Sequence, residues 1–184
     1  LNYTRITGSK NGIEVSELFF VPLNTWAEVQ KVTIRNTTDT KKTVKLFSFA
    51  EWCLWNAATD MENFQRNLST GEVEIEQGES STVIYHKTEY KERRNHYAYY
   101  ALANARADGF DTDRESFVGL YNELANPQCV MAGKPSGSVA HGWSPIASHY
   151  IEVSLMPGEQ RDLIFLLGYV ENAQEEKYAD PHAD

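Results

Sequence analysis

Apolar residues recur at intervals of two along most of this chain, in short runs separated by polar turns, which is the signature of half-buried β-strands. Residues 13–22 form an apolar run with polar interruptions, and residues 27–36 set Val29, then Val32 and Ile34, against charged neighbours. The stretch 36–42 is polar and turn-like, and residues 43–55 follow as a long strand candidate, so the pattern predicts a hairpin. Residues 56–67 break the rhythm with small and polar side chains, a connection between strands, before alternation resumes over 68–76 at Val73 and Ile75. A turn at 77–81 leads to strand candidates at 82–86 and 97–102. Between Gly109 and Gly142 the signal weakens into Gly, Asp, Pro and Ser, with short apolar runs at 116–120 and 128–132, which predicts a long, ordered excursion. Residues 148–155, a turn at 156–160 and residues 161–170 read as a second hairpin whose last strand is buried. About eight to ten strands joined by short turns, with no amphipathic helix longer than two turns and no fixed-period repeat, predict an all-β, antiparallel β-sandwich.

The 184 residues suffice for one domain with a sizeable core. No run approaches the roughly 18 apolar residues that a membrane-spanning helix needs, so no membrane partner is expected. The formal charge of −9 argues against a nucleic-acid partner, because phosphate affinity comes from clustered Lys and Arg. The one basic run, Lys91-Glu92-Arg93-Arg94, is interrupted by an acid and suits a solvated turn or strand end. Cys53 and Cys129 are far apart in a chain long enough to fold without covalent staples, which fits a reducing, cytoplasmic setting. No signal peptide opens the sequence, and a first residue of Leu rather than Met implies a processed or cut end. Asn2, Asn36 and Asn67 each begin a glycosylation acceptor triplet, a pattern short enough to arise by chance in an Asn- and Thr-rich chain. The acidic tail from Glu171 onward reads as the start of a linker or helix.

Candidate chemistry is sparse. His86, His96, His141, His149 and His182 show neither the i, i+4 pairing nor the Cys partners of a metal site, so no metal is expected. The acidic stretch 108–115 lacks the ligand register of a calcium loop and reads as a turn with Asx capping. No nucleophile elbow exists, and Gly133-Lys-Pro-Ser-Gly137 has the wrong spacing for a phosphate loop. Hydrolysis of a glycosidic bond needs a pair of carboxylates, but Glu72, Glu74 and Glu76 alternate along one strand and read as a solvated surface. The most informative segment is 52–67, where Trp52 and Trp55 precede a polar connection carrying Asn63, Gln65, Arg66 and Asn67. Flat apolar rings beside fork-shaped donors suit a sugar. By spacing alone, the better reading of the same residues is a Trp that fills the sandwich core and an Arg66 paired with an acid on a strand.

At these residues the chain resembles the cellobiose phosphorylases. The likeness is carried by residues 47–56 (FSFAEWCLWN), 63–67 (NFQRN), 69–74 (STGEVE), 83–90 (VIYHKTEY), 92–97 (ERRNHY), 109–117 (GFDTDRESF), 141–148 (HGWSPIAS) and 167–172 (LGYVEN). It implies the amino-terminal super-sandwich of a disaccharide phosphorylase, with residues 1–172 as its later portion, lacking the first strands, and 173–184 as the start of a linker to an (α/α)6 catalytic barrel. In such enzymes phosphate is the nucleophile and a barrel Asp the general acid; cellobiose is converted with inversion to α-D-glucose 1-phosphate and D-glucose. The resemblance therefore implies no catalytic residue in this chain, no cofactor, and phosphate bound elsewhere as co-substrate.

The resemblance also gives the polar connection a role. In the homodimeric family the sandwich of one subunit reaches the active site of the other, and its Gln-Arg pair lines the acceptor-sugar subsite. The matching positions are Gln65 and Arg66, with Asn63 and Asn67 as support, and Trp52 and Trp55 as core. An amide and a guanidinium on adjacent residues can each fork onto vicinal hydroxyls. The expected partners are cellobiose or glucose and a second subunit. Alternatives of the same kind are chitobiose, cellodextrin or laminaribiose phosphorylases; one of another kind is a free-standing carbohydrate-binding sandwich.

Overall fold

In the computed structural model, which describes residues 2–52, 58, 62, 71–88, 96–142 and 144–171, two antiparallel sheets enclose the main core. The strands are β1 (Thr4–Lys10), β2 (Ile13–Phe20), β3 (Ala27–Asn36), β4 (Lys42–Phe47), β5 (Ala50–Glu51), β6 (Gly71–Gln77), β7 (Thr82–Thr88), β8 (His96–Leu102), β9 (Gly109–Asp113), β10 (Pro145–Leu155) and β11 (Gln160–Glu171). Two five-residue helices, α1 (Arg114–Val118) and α2 (Gln128–Ala132), occupy the excursion. The larger sheet runs β1-β2-β3-β11-β8-β7-β6. In the smaller one, β9 pairs with β10, as do β4 and β5. The all-β sandwich expected from the alternation is the observed architecture.

Alternation places Val32, Ile34, Ile84, Ala98, Tyr100, Leu102, Leu163 and Phe165 on the inner face of the large sheet, against Ala147, Ile151, Val153 and Leu155 of β10. Val29 is out of phase with Val32 and Ile34 and therefore lies on the opposite face, in a row with Phe20 and Leu166. β10 is buried without interruption from Pro145 to Ile151, because its second face is covered too. Phe117, Val118 and Cys129 of the two helices form a second core with Ile146, joined by Phe47 and Phe49. Phe49 stacks on Phe117 at 5.4 Å. The excursion thus forms a third layer, with β9 threaded into the small sheet.

Both expected hairpins are instead crossings between the sheets. β3 pairs with β2 and β11, whereas β4 pairs with β10. Likewise β10 and β11 lie in different sheets, and β11 is buried mainly on its inner face rather than throughout. Asn36 stabilises both crossings. Fully buried, its Nδ2 donates to the carbonyls of Thr40 (2.7 Å), Leu155 (3.1 Å) and Met156 (3.2 Å), and its Oδ1 accepts from the Thr38 amide (3.0 Å) and hydroxyl (2.7 Å). Its backbone amide donates to the Glu159 carbonyl at 2.9 Å, and its carbonyl accepts from Gly158 at 3.1 Å. One side chain therefore takes up carbonyls that sheet pairing leaves over at two adjacent turns. An amide so engaged has no room for a glycan, in keeping with the reading of its triplet as coincidence.

The long strand expected over 43–55 is broken. β4 and β5 share one register on β10, Phe47 opposite Tyr150 and Ala50 opposite Ala147, so they are a single strand interrupted at Ser48 and Phe49. At the break the Ser48 hydroxyl accepts from the His149 amide at 2.9 Å.

Candidate functional site

The four residues that the resemblance assigns to sugar binding, Asn63, Gln65, Arg66 and Asn67, lie outside the described residues, as does Trp55. The described positions within their connection, Ala58 and Glu62, are helical and exposed. Where the connection leaves and rejoins the sandwich is well defined. It leaves after Trp52, which is buried in the core as expected, and rejoins at Gly71, the first residue of β6.

His86 meets both ends. It occupies the inner face of β7, two residues beyond Ile84, and is itself buried. The Trp52 indole stacks on its imidazole with 5.6 Å between centroids and 9° between planes. On the other side Gly71 approaches so closely that a Cβ there would stand 2.8 Å from His86 Nε2 and 2.9 Å from the Lys87 carbonyl carbon. Only glycine lets the chain enter β6 at this point. Beside Trp52, Glu51 pairs with Arg114 of α1 at 2.5 Å, which ties the departing strand to the helical layer. Spacing arguments gave His86 no role, although its place in the 82/84/86 alternation marks it as inward-facing.

The remaining candidates resolve into structural roles. Asp113 caps α1 by accepting from Ser116 N at 2.7 Å. Asp111, fully buried, accepts from the amides of Ser136 and Ser138 and from both hydroxyls. Asp108 accepts from Glu152 N at 2.8 Å. The acidic stretch is therefore a set of caps and pins, as the Asx reading expected, and Gly133-Lys-Pro-Ser-Gly137 is the turn that Asp111 holds. No group of three or more His, Cys, Asp or Glu converges among the described residues. Glu72, Glu74 and Glu76 are exposed along β6, in line with a solvated face.

His149 is the other buried imidazole. The Ser48 hydroxyl lies 2.9 Å from its Nδ1 and the Thr82 carbonyl 3.2 Å from its Nε2. Since that carbonyl can only accept, Nε2 carries the proton and Ser48 donates to Nδ1. Burial opposes a positive charge here and pushes the pKa down to about 4, against the smaller raising effect of the Thr82 carbonyl. The pairing superficially resembles a Ser-His nucleophile. It is enclosed by Tyr100 and Phe165, whose ring centroids lie 5.3 and 5.8 Å from the imidazole, and works as a link between sheets.

Comparison with known proteins places this fold in a family. Residues 1–182 match the family described as glycosyl hydrolase 94, supersandwich domain. The chain belongs to that family. N,N′-diacetylchitobiose phosphorylase of Vibrio proteolyticus is 30% identical over 168 residues, which cover 91% of this chain and 20% of that protein. Solabiose phosphorylase of Paenibacillus borealis is 24% identical over 160 residues, covering 87% and 20% respectively. The chain thus spans about a fifth of the length of these curated relatives. Among solved structures, a polysaccharide lyase superposes with a TM-score of 0.54 at 11% identity, over 91% of this chain and 21% of its own, a likeness of fold alone. The phosphorylase family implied by residues 47–172 is thereby supported at the level of glycosyl hydrolase 94, without singling out cellobiose.

Proposed function

We propose that this chain is the supersandwich domain of an inverting disaccharide phosphorylase, with cellobiose as substrate, and that it lends Gln65 and Arg66 to the acceptor-sugar subsite of the partner subunit in a homodimer. The observation that carries this reading is the match of residues 1–182 to the glycosyl hydrolase 94 supersandwich, in a chain whose relatives include two phosphorylases of different specificity. In this reading the chain's contribution is recognition, with the catalytic groups supplied by the rest of the enzyme. Phosphate, the general acid and the glycosyl donor belong to the catalytic portion of the enzyme, and Asn63 and Asn67 support the Gln-Arg pair. A planar amide and guanidinium select for hydroxyl pattern, since a sugar lacking the matching hydroxyls leaves polar groups unpaired.

In the full-length enzyme, Arg66→Ala is expected to raise the apparent KM for glucose in the synthetic direction about tenfold or more, with much less effect on that for glucose 1-phosphate. Equal effects on both constants would sink the acceptor-site role. A second reading is chitobiose phosphorolysis, favoured by the 30% identity to the Vibrio proteolyticus enzyme. Assays with glucose and with N-acetylglucosamine as acceptors, each with its matching 1-phosphate donor, separate the two. Calorimetry of the isolated chain with cellobiose tests the free-standing binding module, which should bind alone, whereas half a shared subsite should not.

A further inference from the structure

The helical layer carries an apolar surface that nothing among the described residues covers. α1 and α2 turn Phe117, Val118 and Cys129 inward, onto Ile146 of β10. On the other side every residue from Leu120 to Asn126 is exposed, and so are Val130 and Met131 of α2. Tyr121 is 93% exposed and Met131 74%, with Leu120, Leu124 and Val130 in the same short segment. The segment is held in one shape. Asp113 caps α1 at Ser116 N, the Asn122 amide donates to the Gly119 carbonyl at 3.3 Å, and the Asn126 amide donates to that of Glu123 at 3.0 Å. At Gly119, where φ is +94°, a Cβ would stand 2.9 Å from Gln128 Oε1 and 3.0 Å from Asn122 Nδ2, so the loop folds back against α2. From Ser116 to Gly133 the one charged residue is Glu123, in a chain that is 23% charged overall. Large apolar side chains shown to water with hardly a charge among them have the composition of an interface core, which is depleted of charges and enriched in aromatic residues and Met.

We propose that Leu120, Tyr121, Leu124, Val130 and Met131 form a docking surface for another part of the same polypeptide, an uncharged apolar surface contributed by the enzyme outside these 184 residues. Size chooses between that occupant and a second copy of the chain. A standard interface between separate molecules takes roughly 20–30 residues a side. Five apolar side chains on one short segment fall well below that, whereas a tethered surface, at a local concentration on the order of millimolar, needs much less area to stay docked. Length supplies the occupant, since this chain spans about a fifth of its curated relatives. The proposal needs only that these residues form part of a longer phosphorylase; it does not depend on which sugar is used or on the roles of Gln65 and Arg66.

The test is a footprint of the full-length enzyme with hydrogen peroxide, which converts an accessible Met thioether to the sulfoxide and is read by peptide mass spectrometry. With the surface covered, Met131 is expected to oxidise at least about tenfold more slowly than in the urea-unfolded enzyme. A rate within about twofold of the unfolded one, as 74% exposure would give, overturns the proposal. This measurement needs no substitution, so a variant that fails to fold cannot obscure it. The occupant is read separately, by irradiating a full-length Tyr121→benzoylphenylalanine variant, whose side chain cross-links to whatever lies against it. A product of single-chain mass, joined to a peptide outside residues 1–184, is expected. A product of two-chain mass, or none that reaches outside those residues, overturns the choice of occupant. Neither readout involves sugar, so a failure of the acceptor-site reading and a failure of this one are seen in different experiments.

Discussion

At the scale of single residues, two buried polar side chains hold this sandwich together and each carries a measurable consequence. Asn36 donates to three carbonyls and accepts from two donors, so truncation strands buried carbonyls as well as losing the bonds. Asn36→Ala is expected to destabilise the chain by about 2–4 kcal/mol in urea unfolding. A loss under about 1 kcal/mol would show that water replaces the amide. His149 bears on pH. Its folded pKa of about 4 lies below the usual imidazole value near 6.5, so the unfolded chain takes up a proton that the folded chain refuses. The stability from keeping this ring neutral is fully present above about pH 6.5. It is lost as pH falls towards 4, by up to about 3 kcal/mol. His149→Phe should be less stable than the parent at neutral pH yet lose less between pH 6.5 and 4. Parallel pH profiles for the two chains would remove His149 as the source.

At the scale of elements, the strands were legible and their partners were not. Strict alternation in 71–76 follows from having one face in the core, and the short runs rich in aromatic and β-branched residues at 82–86 and 97–102 mark strands as directly. β1 was not singled out, since all seven of its residues are exposed, yet a signal for it existed. Asn11 and Gly12 both adopt positive φ, 53° and 77°, the two-residue turn that an Asn-Gly pair favours between strands. The two mistaken hairpins share a cause. A polar stretch of a few residues can fold one strand back beside the other or carry it across to the facing sheet, and the choice here is made by Asn36, whose partners at residues 155 and 156 are remote in sequence. Gly168 shows another long-range demand. In the cross-strand row of Tyr85, Tyr99 and Gly168, the Tyr99 ring lies across β11 where a side chain would stand, its Cε1 2.5 Å from where a Cβ would be built. Gly168→Ala is expected to cost about 1–3 kcal/mol by thermal unfolding, with part of the loss recovered in a Tyr99→Ala background. Additive losses would mean that the two positions do not compete for the same space.

At the scale of the whole molecule, a seven-stranded sheet faces a much narrower one, and its end strands β1 and β6 have no second partner among the described residues. Ile6 on β1 is 58% exposed, and Trp26 and Leu23 beside the β2–β3 turn are 81% and 79% exposed. Open edges with apolar side chains are templates for further pairing. This chain by itself is expected to associate, with an apparent mass that grows with concentration in light-scattering chromatography. A sharp monomer peak at every concentration would count against it. No helix among the described residues is long and apolar enough to cross a membrane.

The candidate site divides in the same way. Gln65 and Arg66 came from the likeness of residues 63–67 to a known motif, and their residue types explain why a sugar would fit, but nothing in their spacing distinguishes a sugar subsite from a polar surface turn. His86 was invisible because its meaning lies in what it touches: Trp52 lies thirty-four positions before it and Gly71 fifteen. The sequence by itself determined most of the strands, the solvent face of β6, the burial of Trp52 and the family, because each is written in neighbouring residues or in ordered blocks of them. Only the tertiary structure decided which sheet each strand joins, why Asn36 and Asp111 are buried, and that Trp52 and Gly71 both lie against the His86 ring. Those outcomes depend on contacts between residues far apart in the chain, where local pattern carries no information about which partner will be met.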